Sequence, residues 1–312
     1  MKKTAFLFPG QGSQSVGMGL EFYQEYDFVR ELFDMAEEIA KINISKLCFK
    51  GPMEDLTMTV NLQPAVTAVN LACLAVIEKE YTGACISAGH SLGEYSALNA
   101  SKVVSKEDTL RLVIKRGELM HRESIKHKGA MHAIIGLSVN EVQKIVHEVQ
   151  KDGVVSIANH NTENQIVITG APDQVNKVSS LANSQGAKSI PLQVSGAWHS
   201  ELIKGAEDDF KGFLNTVSFS RPERLVVFNV TADFVEDPDE IKSFMVKQLS
   251  SPVKWYDSMS KLMEERVQVF VEVGPGKVLT GLLKKNLPKD YHYKVFSVNN
   301  MKGLEWFFKE II

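Results

Sequence analysis

Cysteine is scarce in this chain. The three present in 312 residues, Cys48, Cys73 and Cys85, are an odd number without Cys-x-x-Cys spacing, which argues against a disulfide framework or a thiolate metal cluster. Each stands among apolar neighbours, as Leu47 and Phe49 flank Cys48, so all three read as buried free thiols in a reducing compartment. A surplus of either charge is lacking too. Thirty-five Lys and Arg against 38 Asp and Glu leave a net charge of -3 and a pI near 6.3, which gives no overall field for gripping a nucleic-acid backbone. No uninterrupted apolar stretch approaches the ~20 residues that span a bilayer. The opening Met1 to Phe8 imitates a signal peptide, but Pro9-Gly10 breaks the run short of an h-region, and a first buried strand is the better reading. Internal repeats, low-complexity segments and disordered linkers are absent. A cytoplasmic globular protein that meets neither nucleic acid nor membrane is expected.

With 44% hydrophobic and 23% charged residues, the chain can bury a large core. Strand-like runs alternate with longer helical patterns: Thr4 to Phe8, helices around Val29 to Ile42 and Pro64 to Glu80, then Ala84 to Ala88 and another helix. That rhythm predicts a parallel sheet with helices on its faces. From Ala130 it changes to a strand Met131 to Leu137, a helix Val139 to Gln150, strands Val154 to Asn159 and Gln165 to Thr169, a helix Asp173 to Ser184 and a strand Lys188 to Val194. This is the βαββαβ order of a ferredoxin-like unit. The α/β rhythm then returns, with strands Leu225 to Val230 and Val269 to Val273. The expected organisation is a large α/β domain, residues 1–125 and 199–312, with a small domain, 126–198, inserted in it and a ligand cleft between them.

Gly89-His90-Ser91-Leu92-Gly93 follows a predicted strand and opens a predicted helix, the context of a G-x-S-x-G nucleophile elbow. The plain alternative is a glycine-rich turn with a capping serine. A serine hydroxyl needs a base to take its proton, and eight histidines are available. His127, His147 and His292 sit in polar surroundings, His90 lies within the elbow and is better placed to shape it, His132 and His160 belong to the inserted unit, and His121 ends an Arg/Glu-rich helix. His199 falls where the insert returns to the large domain, and spacing alone leaves its role open. Acids between Ser91 and His199, such as Glu163 and Asp173, mostly lie in the insert, so something other than a carboxylate is expected to orient the base. In the helix Thr109 to Met120, Arg111, Lys115, Glu118 and Arg122 form a polar stripe, whereas Arg116 shares its face with Leu112 and Leu119. Arg116 either snorkels to water or pairs with a buried anion. Its planar fork suits a carboxylate. Pro9-Gly10-Gln11-Gly12-Ser13-Gln14 lacks the Lys and Ser/Thr of a P-loop and reads as a tight turn that presents Gln11 to a cleft.

Together these segments resemble the malonyl-CoA:acyl-carrier-protein transacylase family and the related acyltransferase domains of fatty-acid and polyketide synthases. The resemblance is carried by Phe8-Pro9-Gly10-Gln11-Gly12-Ser13-Gln14, Gln63-Pro64-Ala65, Gly89-His90-Ser91-Leu92-Gly93-Glu94-Tyr95, Lys115-Arg116-Gly117-Glu118-Leu119-Met120, Gly129-Ala130-Met131, Ser195-Gly196-Ala197-Trp198-His199-Ser200, Gln248 to Trp255 and Val273 to Leu279. It implies an α/β-hydrolase-like body with a ferredoxin-like insert. It also implies Ser91 as acyl-carrying nucleophile, His199 as general base and acid, the Gln248 carbonyl orienting His199, Gln11 and the Leu92 amide as oxyanion hole, and Arg116 on the free malonyl carboxylate. Trp198 and Met120 are expected to line the acyl pocket. The implied reaction is ping-pong transfer of malonyl from malonyl-CoA to acyl carrier protein, for fatty-acid or polyketide chain extension, by a monomer that needs no cofactor. Trp198 stands where malonyl-selective members often have Phe, His121 and Arg122 follow Met120 in place of a common Met-Gln pair, and His132 replaces a small residue. Carrier proteins of such a pathway are acidic, which makes Lys126-His127-Lys128 and Lys284-Lys285 candidate docking patches; solvated surface lysines are the plain alternative. The rival readings are an acyl hydrolase that clears carrier proteins with the same serine and histidine, which has no use for Arg116, and a catalytically silent docking protein.

Overall fold

The computed structural model describes residues 2–83 and 85–311. A central sheet is built from β1 (Thr4–Phe8), β2 (Cys85–Gly89), β7 (Val226–Val227), β8 (Val269–Val273) and β9 (Lys294–Val298), in the order β7-β2-β1-β8-β9. Every neighbouring pair in it is parallel. Strands of such a sheet are covered on both faces and lose the polar alternation of a half-exposed strand. In β1 all five residues are buried: Phe6 and Phe8 enter one core, Ala5 and Leu7 the other.

The larger core is organised round the helix Thr59–Glu78, which is buried on every side and packs most heavily against the helix Lys106–Lys126. By length and mean hydropathy Thr59–Glu78 is long and apolar enough to cross a membrane, although 89% of that window is inside the protein. The sequence expectation of no membrane-length run overlooked it because Asn61, Gln63, Thr67 and Asn70 interrupt the apolar residues. Two of those polar groups have work inside: Gln63 and Asn70 both make buried hydrogen bonds.

A second sheet, antiparallel, contains β3 (Ala130–Ile135), β4 (Val155–Thr162), β5 (Gln165–Gly170) and β6 (Lys188–Pro191) in the order β4-β5-β3-β6. Helices Val139–Val149 and Pro172–Ser184 complete the βαββαβ order. One face, with Ile134, Ile157, Ile166 and Ile168, packs on those helices. The other, with Met131, Ala133, Ala158 and Val167, joins the main core. Two backbone hydrogen bonds, Val253 N to Ala158 O at 2.8 Å and His160 N to Val253 O at 3.0 Å, stitch β4 to the large sheet's side of the molecule.

The architecture is the expected one, with differences at element ends. The helix around Arg116 begins at Lys106 because Ser105 caps it, its hydroxyl accepting from Asp108 N at 3.0 Å, and it runs on to Lys126. β6 stops at Pro191 instead of reaching Val194: Leu192 N still donates to Met131 O at 2.9 Å, but Val194 N turns back onto Leu192 O at 3.0 Å, and Leu192 and Val194 line the site cavity. β7 spans two residues, not six, since the chain folds back at Phe228, whose N–H donates to Asp233 O. The expected strand start at Ala84 lies outside the described residues.

Candidate active site

Ser91 sits between the end of β2 and the helix Gly93–Ala100, with φ +50°, in the left-handed region that a serine occupies only under constraint. The turn is tight enough to dictate its glycines. A Cβ at Gly93 would lie 1.9 Å from Phe8 O, and one at Gly89 2.0 Å from the Gly93 carbonyl carbon. Asn229, just past β7, clamps the turn on both sides of the serine: its Oδ1 accepts from Ser91 N at 2.8 Å, and its Nδ2 donates to Gly89 O at 2.6 Å.

His199 also has a positive φ, +61°, and is 3% exposed. Its Nε2 lies 2.8 Å from Ser91 Oγ. Its Nδ1 lies 2.9 Å from Gln248 O and 3.1 Å from Ser251 O. Carbonyl oxygens only accept, so Nδ1 carries the proton and Nε2 turns its lone pair to the serine hydroxyl. Burial, and then the Arg116 charge, push the imidazole down to about 3. His199 is therefore a neutral base in the resting site.

Arg116 is 2% exposed. Its guanidinium donates to Gln63 Oε1 at 2.9 Å, to Ser91 Oγ at 3.1 Å and to Gln248 Oε1 at 3.3 Å, and stands 5.6 Å over the Tyr95 ring. These partners are neutral, and among the described residues it forms no ion pair. A buried cation held only by neutral groups favours an incoming anion. Of its two readings from sequence, the structure gives the buried one.

Gln11, Leu92, Trp198 and Met120 join Ser91, His199 and Arg116 round a cavity of about 90 Å³, closed by Met131, Val167, Leu192 and Val194 from the second sheet and its exit. A second cavity, of about 220 Å³, shares Gln11, His90, Asn159, Val167 and Leu192 with it and runs toward Val278 and Leu282. Each residue singled out from the sequence thus lies at one place. His90 does shape the junction, its Nε2 meeting Asn161 Oδ1 at 2.8 Å. His127, His147 and His292 are exposed. His132 bonds the Ser179 hydroxyl and His160 packs on Tyr256, both away from Ser91. The three cysteines are buried and unpaired, and burial pushes the Cys48 thiol up to about 12 and that of Cys85 to about 11.

The sequence profile of the acyl transferase domain family matches residues 5–302. The chain belongs to that family. It is 43% identical over 287 residues to the malonyl CoA-acyl carrier protein transacylase of Bacillus subtilis, covering 91% of this chain and 90% of that one. With the protein of the same name from Haemophilus influenzae it shares 38% identity over 288 residues, covering 91% and 92%. An acyl carrier protein S-malonyltransferase from Vibrio cholerae superposes with a TM-score of 0.92 at 36% identity, over 98% of this chain and 99% of that one. A malonyl-transacylase solved in complex with a type II PKS acyl-carrier protein superposes with a TM-score of 0.94 at 33% identity, over 99% of both chains.

For an acyl transferase, an elbow serine with its histidine is the expected nucleophile pair. Several supporting groups gave no sequence signal. Asn229 lies just beyond β7, in chain expected to be strand and marked by no motif, and the Ser251 carbonyl stood inside a matching segment with no role attached. Gln63 and Glu94 stood inside matching segments with no role attached. Spacing along the chain offers no means of finding a side chain whose partners lie more than fifty residues away.

Proposed function

We propose that this chain transfers malonyl from malonyl-CoA to the phosphopantetheine thiol of acyl carrier protein through a malonyl-Ser91 ester, as a cytoplasmic enzyme serving fatty-acid or polyketide chain extension. One observation carries the reading: Ser91 Oγ stands 2.8 Å from the His199 base and 3.1 Å from the Arg116 guanidinium. A nucleophile flanked by a base and a buried cation suits an acyl group that carries its own carboxylate. The names of the relatives point the same way.

In the proposed mechanism Arg116 pairs with the free carboxylate of malonyl and brings the thioester carbon over Ser91. His199 Nε2 removes the serine proton as the Oγ–C bond forms. The oxyanion is held by Gln11 and the Leu92 amide at the start of the helix. The C–S bond then breaks, and His199 returns the proton to the departing coenzyme A thiolate. The carrier thiol repeats the sequence in reverse, which gives ping-pong kinetics. The Gln248 carbonyl keeps the imidazole aligned, and Trp198 and Met120 bound the acyl pocket. Every step uses groups of this chain and its two substrates, so the reading calls for no cofactor or metal. Residues 126–198 act in it as the small domain that closes one wall of the cavity over the body formed by 1–125 and 199–312.

Intact-protein mass spectrometry after mixing with malonyl-CoA or acetyl-CoA tests this. The expected outcome is a malonyl adduct on Ser91 that acetyl-CoA does not match and that Arg116→Ala loses. Equal labelling by both donors overturns the role of Arg116. Release of free malonate faster than transfer to carrier protein makes the enzyme a hydrolase.

A further inference from the structure

Glu94 follows the nucleophile by three residues and is 1% exposed, yet among the described residues no salt bridge accounts for it. Its Oε1 accepts from Asn229 N at 2.7 Å, and its Oε2 accepts from Gln248 Nε2. Both partners act on the reacting groups. Asn229 clamps the elbow from Gly89 O to Ser91 N. The Gln248 side chain donates from Nε2 to Ser91 O at 2.9 Å and accepts at Oε1 from Arg116 at 3.3 Å, while the carbonyl of the same residue holds His199.

An amide side chain has one accepting and one donating end, and its shape does not say which is which. In Gln248 the choice matters, because the end that faces Arg116 must accept. An ionised carboxylate accepts only, so Glu94 in that form, beside the other end, compels the NH2 group to face it and leaves Oε1 for the guanidinium. Turned over, Gln248 would set its NH2 group against the Arg116 donors and its oxygen against two other oxygens, those of Glu94 and of the Ser91 carbonyl.

We propose that Glu94 is a positioning residue that holds Arg116 in register with the substrate carboxylate by fixing which way the Gln248 amide faces. The idea rests on the reading that Arg116 binds the carboxylate of malonyl. A carboxylate that merely braces the elbow through Asn229 would serve all acyl donors alike, whereas one that aligns Arg116 serves a donor with a free carboxylate.

The test is a double-mutant cycle on acyl preference, the ratio of kcat/KM for Ser91 loading from malonyl-CoA to that from acetyl-CoA. Glu94→Gln keeps the shape but replaces one acceptor by a donor. Gln248→Met removes the amide and keeps the backbone carbonyl on His199. Each single change is expected to lower the preference by about tenfold, the scale of one hydrogen bond to a charged group. Glu94→Gln placed on Gln248→Met should change the preference by less than about twofold. A folded Glu94→Gln with unaltered preference, or one that loses both donors equally, overturns the proposal. So does a further loss of about tenfold in the Gln248→Met background. If Glu94→Gln does not fold, Gln248→Met decides alone: a preference it leaves intact rules out alignment through the amide, and a lost preference supports it. Arg116→Ala is run beside them. A malonyl preference that survives in that variant means the reading of Arg116 has failed, independently of Glu94.

Discussion

His199 and Glu94 show how burial shifts two neighbouring groups in opposite directions with pH. The imidazole is pushed down to about 3, so between that value and its ordinary 6.5 the unfolded chain binds a proton that the folded protein refuses. Its contribution to stability is intact above the unfolded value and is lost as pH falls. Glu94, raised by burial to about 7 from 4.5, contributes stability that is present below 4.5 and is lost as pH rises through 7. The net pH profile mixes the two, and a single replacement separates them. Urea unfolding of wild type and His199→Gln at pH 7 and pH 5 should show wild type losing ground relative to the variant by up to about 1.4 kcal/mol per pH unit below 6.5. A constant difference between the two proteins contradicts a neutral buried base. The character of His199 could not be read from Ser195-Gly196-Ala197-Trp198-His199-Ser200 alone, because its low proton affinity comes from burial and then from the Arg116 charge, and its tautomer is set by the Gln248 and Ser251 carbonyls, all contributed by chain distant in sequence.

At the scale of elements, the elbow is a junction in which backbone meets backbone. Gly93 lets the first turn of its helix lie against the end of β1, and a methyl group there would stand 1.9 Å from Phe8 O with no flexible side chain to yield. Gly93→Ala is therefore expected to cost on the order of 3 kcal/mol in urea unfolding and to slow labelling of Ser91 by a serine-directed fluorophosphonate. A variant of wild-type stability would mean that strand and helix can separate freely. The strand-turn-helix character of this segment was legible, as were the βαββαβ order and the apolar face that carries Arg116. Element ends were less so, and for local reasons: the cap at Ser105, the turn of Val194 back onto Leu192 and the reversal at Phe228 each act through one or two hydrogen bonds, which hydrophobic patterning does not register.

On the whole molecule, the two lysine clusters that looked alike in sequence occupy different settings. Lys126 is paired with the buried Glu123 carboxylate at 2.9 Å, which Arg122 also contacts. Lys284 and Lys285 end the helix Val278–Asn286, whose Val278, Leu279 and Leu282 line the second cavity, and Lys285 reaches Gln165 on the wall of that cavity at 3.3 Å. Replacing both Lys284 and Lys285 by Ala should raise KM for an acidic carrier severalfold, more at low salt than at high, and leave malonyl loading from coenzyme A unchanged. An unchanged KM places docking elsewhere. The sheet itself has a consequence for how the molecule is made. β1 is the central strand, and its two neighbours are β2 and β8, the second beginning only at Val269. At ribosomal speeds of about 5–20 residues per second, β1 waits on the order of tens of seconds for β8. Once β2 has formed, Phe6 and Phe8 belong to a sheet whose other edge stays unpaired until β8 emerges, so the growing chain exposes a strand edge that the folded protein covers.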